Sequence, residues 1–101
     1  MRIYISGPIT GHDDYKEKFA AAEERLRAAG YKVFNPAKLG EHLNNLTYEE
    51  TLKVDLVILN SCDAIYMLPG WQQSRGANRE YGYALAAGKK MMFEEGTNEN
   101  T

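Results

Sequence analysis

Two carboxylates stand where a helical pattern calls for apolar side chains. Leu52, Leu56 and Leu59 recur on one face of a helix expected over about 47–60, and Asp55 falls in that same stripe. In a second helix, expected over 76–87, Ala77, Tyr81, Ala84 and Leu85 form the apolar face, and Glu80 sits between Ala77 and Tyr81. A carboxylate turned toward a core is costly unless it is paired, hydrogen-bonded or protonated. Burial also raises its pKa. Residues placed this way are candidate acids, bases or nucleophiles. The competing reading is structural: Asp55 accepting hydrogen bonds at the end of a sheet, and Glu80 paired with Arg79 or Lys53.

Two glycine-bearing loops accompany them. Gly7-Pro8-Ile9-Thr10-Gly11-His12 follows an apolar stretch and precedes a helix, so backbone N–H groups and a positive dipole end face whatever binds there. Ser74-Arg75-Gly76 repeats the arrangement ahead of the helix that carries Glu80. Either loop suits a phosphate or a sugar hydroxyl, and any tight strand-to-helix turn can also need such glycines. Trp71 fits two roles equally, stacking on a base or closing the core. Tyr4 reads as a core residue whose hydroxyl reaches toward the pocket, and Asp63 as a residue at the start of a strand. His12 and His42 have no partners at metal-ligand spacing and Cys62 stands alone, so no metal is expected.

The elements that must position these groups follow from pattern. Arg2–Ser6 is β-branched and aromatic and reads as a strand. Asp14 and Glu17 have capping-box spacing and open a helix whose apolar face is Tyr15, Phe19, Ala22, Leu26 and Ala29, with Gly30 as its cap. Residues 31–34 are a short strand ended by Asn35-Pro36, and 37–46 show no period and read as an irregular connection. Thr47 and Glu50 form a second capping box. Residues 64–68 make a continuous apolar run, as in a strand buried on both faces. Residues 71–75 read as a polar loop, Gly88 caps the last helix, and 90–93 are the last strand. Strands alternating with helices imply a mostly parallel sheet covered on both sides. The expected fold is α/β: a three-layer α/β/α domain over 1–94, with a small flavodoxin- or Rossmann-like sheet of four to five strands. Residues 95–101 read as a flexible polar tail.

Composition narrows the function classes. The chain has 101 residues, enough for one domain, and a formal net charge of -2 from 12 basic and 14 acidic residues. That balance argues against a nucleic-acid polymer as partner. The single cysteine points to a reducing, cytoplasmic setting, and no apolar run suggests a membrane span or leader. Edges of a small sheet and apolar helix faces point to a homo-oligomer.

Tyr4-Ile5-Ser6-Gly7-Pro8-Ile9-Thr10-Gly11, then Asp55 with Cys62-Asp63-Ala64, then Ser74-Arg75-Gly76-Ala77-Asn78-Arg79-Glu80 together resemble the nucleoside 2-deoxyribosyltransferase superfamily. The chain is similar to small phage and bacterial members of uncharacterised function, and also to 2'-deoxynucleoside 5'-monophosphate N-glycosidases. The resemblance covers about residues 2–93. It implies cleavage or transfer at the N-glycosidic bond of a nucleotide or nucleoside, with no cofactor and with pockets built at the interface of a homodimer. Carried over, Glu80 resembles the nucleophile and Asp55 the carboxylate that assists departure of the base. Ser74, Gly76 and the backbone of Gly7, Ile9, Thr10 and Gly11 resemble a 5'-phosphate cradle. Ser6 and Trp71 join the substrate-facing set, and Tyr4 resembles a pocket-wall residue. Pro8 and Thr10 stand where the N-glycosidases carry serine and arginine, which removes a hydroxyl and a cation. The alternative from a different class is a catalytically silent module that binds or sequesters a nucleotide.

Overall fold

Four strands and four α-helices lie along residues 1–40 and 44–94, the part of the chain that the computed structural model describes. The strands β1 (Arg2–Ser6), β2 (Lys32–Phe34), β3 (Ala64–Met67) and β4 (Lys90–Phe93) are all parallel, in the order β2-β1-β3-β4. Between them run α1 (Tyr15–Ala28), α2 (Pro36–Gly40), α3 (Tyr48–Asn60) and α4 (Arg75–Ala86). This is a flavodoxin-like α/β architecture. The chain moves outward from β1 to β2, then returns to the other side of β1 for β3. Strand order therefore reverses between β1 and β3, and in such sheets the crevice beyond the carboxyl ends at that point receives the ligand.

The pleat of β1 sorts its side chains between layers. Ile3 and Ile5 pack with Phe19, Ala22 and Leu26 of α1 on one face of the sheet. Tyr4 points the opposite way, to Leu59 of α3 and to Ala77 and Ala84 of α4. Ser6 shares the face of Tyr4, because it lies two residues further along the strand. On β3, Ala64 and Tyr66 join the α1 layer while Ile65 and Met67 join the α3–α4 layer. All four β3 residues are buried, as its continuous apolar run implies. Each fully buried Ile or Leu contributes about 1.5–3 kcal/mol. Ile3, Ile5, Leu59 and Ile65 thereby anchor a sheet that also carries polar Ser6 in its interior.

The helix ends follow local chemistry, with three departures from expectation. At α3 the Thr47 hydroxyl accepts the Glu50 N–H at 3.1 Å and the Glu50 carboxylate accepts the Thr47 N–H at 2.8 Å, a complete capping box. Gly30, at φ 96°, closes α1: its N–H bonds the Arg27 carbonyl, and the Tyr31 N–H bonds that of Leu26. Asp14 makes no capping bond and lies instead 3.4 Å from Lys18, so α1 starts where the spacing predicts but not through a capping box. The irregular connection expected from residue 37 begins as a helix. The Asn35 side chain accepts the Ala37 N–H at 3.0 Å, and Pro36 sits at the first helical position, which its fixed φ suits. Residues 71–73 of the expected polar loop form a single 3-10 turn. His42 and the tail expected at 95–101 lie outside the described residues.

Candidate active site

The loop after β1, helix α3 and the start of α4 enclose a cavity of about 490 Å³ at the carboxyl edge of β1 and β3. The loop contributes Gly7, Pro8, Ile9, Thr10 and His12. Helix α3 contributes Tyr48, Thr51, Leu52 and Asp55, a stripe with helical spacing that ends at the carboxylate. Gln73, Ser74, Arg75, Gly76, Ala77 and Glu80 form the opposite wall.

Glu80 lies near the middle of α4, one turn past its N-terminal turn, and is 7% exposed. Behind it, on the sheet, the Tyr4 hydroxyl donates to Oε2 at 2.6 Å and the Ser6 hydroxyl donates to Oε1 at 2.7 Å. The alternation of β1 explains this pairing, since residues 4 and 6 share one face. Burial raises the Glu80 pKa from 4.5 to about 7; the Tyr4 and Ser6 hydrogen bonds oppose that rise, and Asp55 adds to it. Tyr4 itself is held well above its ordinary value by burial and by the neighbouring Glu80 and Asp55, so it remains a donor. Asp55, on the facing helix, is pushed from 3.8 up to about 6 by burial. No hydrogen-bond donor or cation among the described residues opposes that shift.

The ion pairs weighed for Glu80 are absent among the described residues: the Arg79 guanidinium donates to Glu49 at 2.8 Å. Asp63 accepts the Arg2 N–H at 2.8 Å, in keeping with a residue at the start of β3. Cavity-facing positions anticipated by sequence are Gly7, Ile9, Thr10, Asp55, Ser74, Gly76 and Glu80. Four others stand elsewhere. Tyr4 and Ser6 are fully buried behind Glu80 and contact it rather than the open cavity. Trp71 packs into the core, its ring stacked 4.6 Å from that of Tyr81, because the 3-10 turn directs it under α4. Gly11, at φ 82°, serves the turn and does not line the cavity. Gly7 has a packing reason as well, since a Cβ there would stand 2.8 Å from Leu68 Cβ.

Tyr48, Thr51 and Arg75 were not singled out by sequence. Tyr48 and Thr51 lie two turns and one turn before Asp55 on the same face, so helical spacing from Asp55 could have found them. Ser74 doubles as the N-cap of α4, its hydroxyl accepting the Ala77 N–H at 3.1 Å. Among the described residues no three His, Cys, Asp or Glu side chains converge as metal ligands. No helix there is long and apolar enough to cross a membrane.

Solved structures share this architecture. A 2-deoxyribosyltransferase from Bacillus psychrosaccharolyticus superposes with a TM-score of 0.70 at 23% identity, over 92% of this chain and 71% of that one. A 2-deoxyribosyltransferase from Leishmania mexicana gives 0.68 at 22% identity, over 91% and 62%. A CMP N-glycosidase from Clostridium botulinum gives 0.64 at 22% identity, over 92% and 70%. At these identities the likeness establishes the fold, that of nucleoside deoxyribosyltransferases, which the motifs resemble. No curated protein matches the sequence significantly. The sequence profile of one family, a domain of unknown function designated DUF4406, matches residues 1–93, and the chain belongs to that family.

Proposed function

We propose that the cavity cleaves or transfers at the N-glycosidic bond of a deoxynucleotide or nucleoside. The observation that carries this reading is the Glu80 carboxylate, buried on the cavity wall with Tyr4 and Ser6 donating to its two oxygens. Breaking a glycosidic bond builds positive charge on the sugar ring, which an ionised carboxylate stabilises and can trap. The two hydroxyls act on the ionised form, and they fix its orientation toward the cavity.

In the first step a Glu80 oxygen bonds the anomeric carbon. The carbon–nitrogen bond breaks, and its electron pair goes to the base. The Asp55 carboxyl delivers a proton to the departing base. Water, or a second base, then attacks the anomeric carbon, loses its proton to Asp55, and releases Glu80. The donor sets separate the two roles: two hydroxyls favour charge on Glu80, and Asp55 has none to favour charge there. With Glu80 near 7 and Asp55 near 6, the pair shares one proton between those pH values and keeps it mostly on Glu80, so the productive form, with the proton on Asp55 and charge on Glu80, is the minority one. Ser74, Gly76 and the backbone of Gly7, Ile9 and Thr10 receive the 5' end of the sugar. All of this chemistry runs on side chains, substrate and water.

The test is direct. The protein is incubated with the common deoxynucleosides and their 5'-monophosphates, and free base is sought by chromatography. Release of base by wild type, abolished in Glu80→Gln, supports the reading. Ligand-dependent stabilisation without any product would favour the silent binding module instead.

A further inference from the structure

The two edges of the sheet are finished differently. At β2 the Lys32 N–H bonds the Met1 carbonyl, so the alternation of the strand turns the peptide groups of Val33 outward. There the Arg27 guanidinium donates to the Val33 carbonyl at 3.0 Å. This edge is three residues long, and a charged side chain covers its outward carbonyl. Short edges blunted in this way resist pairing with another chain.

The β4 edge has no such cover. The Lys90 N–H bonds the Asp63 carbonyl and the Glu94 N–H bonds that of Met67. Residues 90, 92 and 94 therefore face β3, and Met91 and Phe93 turn their N–H and C=O groups outward. Among the described residues no other strand pairs with them. Met91, Met92 and Phe93 are half-buried, and no proline or charge interrupts them. An apolar edge of this kind is a template for one more strand.

The strand is complementary to itself. Laid antiparallel about a two-fold axis through Met92, the β4 of a second copy sets Met91 against the partner's Phe93, and all the outward peptide groups of both find partners. Met92 meets the partner's Met92 at the closer spacing, about 4.5 Å between Cα atoms. Lys90 then stands opposite the partner's Glu94, and symmetry repeats the pair. Arg25 engages Glu94 through Oε1, which leaves Oε2 for the incoming ammonium, and Lys90 has no carboxylate within ion-pair distance among the described residues. A shift of one residue would set outward groups against inward ones. A shift of two would leave part of the ladder unpaired and separate the charges. Head-to-tail addition through β2 meets the Arg27 cover, so the closed two-fold contact is the one that fits.

We infer that the β4 edge is a self-association surface, through which two copies of this chain join by antiparallel β4 strands into one continuous sheet with reciprocal Lys90–Glu94 pairs. None of these residues lines the cavity, so the inference stands apart from the reading of its chemistry.

Exchanging the charges tests it, with sedimentation over a range of concentrations measuring dimer dissociation and circular dichroism checking the fold. Lys90→Glu and Glu94→Lys each bring like charges together at both symmetry-related pairs, so each should raise the dimer dissociation constant about 10- to 100-fold. Mixed in equal amounts, the two variants should pair with each other more tightly than either pairs with itself, because every facing pair is again of opposite sign. Glu94→Lys also sets a lysine beside Arg25; if that variant does not fold, the dissociation constants of Lys90→Glu and Lys90→Gln decide, the first weakened more than the second. Hydrogen exchange at the Met91 and Phe93 amides should slow as wild-type protein is concentrated and quicken on dilution. A monomeric wild type, a dissociation constant that neither charge reversal moves, or folded variants that fail to pair on mixing overturns the inference. So does protection of those amides that ignores concentration, since the edge would then be covered from within the chain.

Discussion

Replacing Glu80 by glutamine should stabilise the protein, and the gain should depend on pH in a specific way. The carboxyl sits on the cavity wall at 7% exposure with a pKa raised from 4.5 to about 7. A raised carboxyl pKa means the folded state binds the proton more tightly than the unfolded chain. Folding stability therefore falls as pH climbs from about 4.5 to about 7, and is level beyond. The full difference corresponds to about 3 kcal/mol. Glutamine keeps the volume and can still accept from one hydroxyl and donate to the other, so it escapes this penalty. Some of the gain is lost to weaker, uncharged hydrogen bonds, leaving about 2 kcal/mol at pH 8 and close to none at pH 4. In a domain this size that shift is about 8–16 °C in Tm at pH 8. Thermal unfolding of both proteins at the two pH values, followed by circular dichroism, measures the difference directly. A variant less stable than wild type at pH 8, or a Tm difference equal at both pH values, would refute the assignment of Glu80 as a strained, ionisable group.

Three more expectations come from the same geometry. Asp55→Asn should slow base release most for poor leaving groups; wild-type kcat/KM should be bell-shaped with limbs near pH 6 and 7, whereas the variant should rise to a plateau with Glu80 ionisation. Ser74→Asp keeps a good N-cap for α4 while placing a carboxylate on the cavity wall, so the preference for monophosphate over nucleoside should reverse; equal wild-type affinity for the two ligands would count against it. On the other side of the sheet Glu23 is partly desolvated, but Arg27, Lys38 and Asn35 bond it and hold its pKa down to about 2. Glu23→Gln should cost about 2 kcal/mol at neutral pH, with the deficit shrinking as acid protonates wild-type Glu23 between about pH 4.5 and 2, as read by denaturant titration.

Much of this fold was legible because its strongest signals are local. Glycine caps at Gly30 and Gly88, the Thr47–Glu50 capping box and the unbroken apolar run of β3 each act through neighbours in sequence. What escaped notice was tertiary or doubly interpretable. Asn35-Pro36 ends a strand and equally starts a helix, and only the Asn35 bond to Ala37 shows that it does both. Asp14 and Glu17 have the right spacing for a box, but the approach of the chain into α1 leaves the Asp14 side chain with Lys18.

At the site, sequence exposed the anomaly of Glu80 and Asp55 but not what surrounds them. The partners of Glu80 lie 76 and 74 residues earlier, on strand β1, and no local pattern links them to α4. Trp71 was ambiguous for a physical reason: its ring suits a core and a base equally, and the direction of one 3-10 turn decides between them.

The central claim is that Glu80 attacks the sugar, and one comparison tests it most directly. Base release by wild type and Glu80→Gln is measured at pH 6.5 on the best substrate of the panel, with Tm and ligand affinity taken on the same samples. The account predicts a loss of activity of several orders of magnitude in a variant that stays folded and still binds ligand. A Glu80→Gln protein that releases base at the wild-type rate contradicts it.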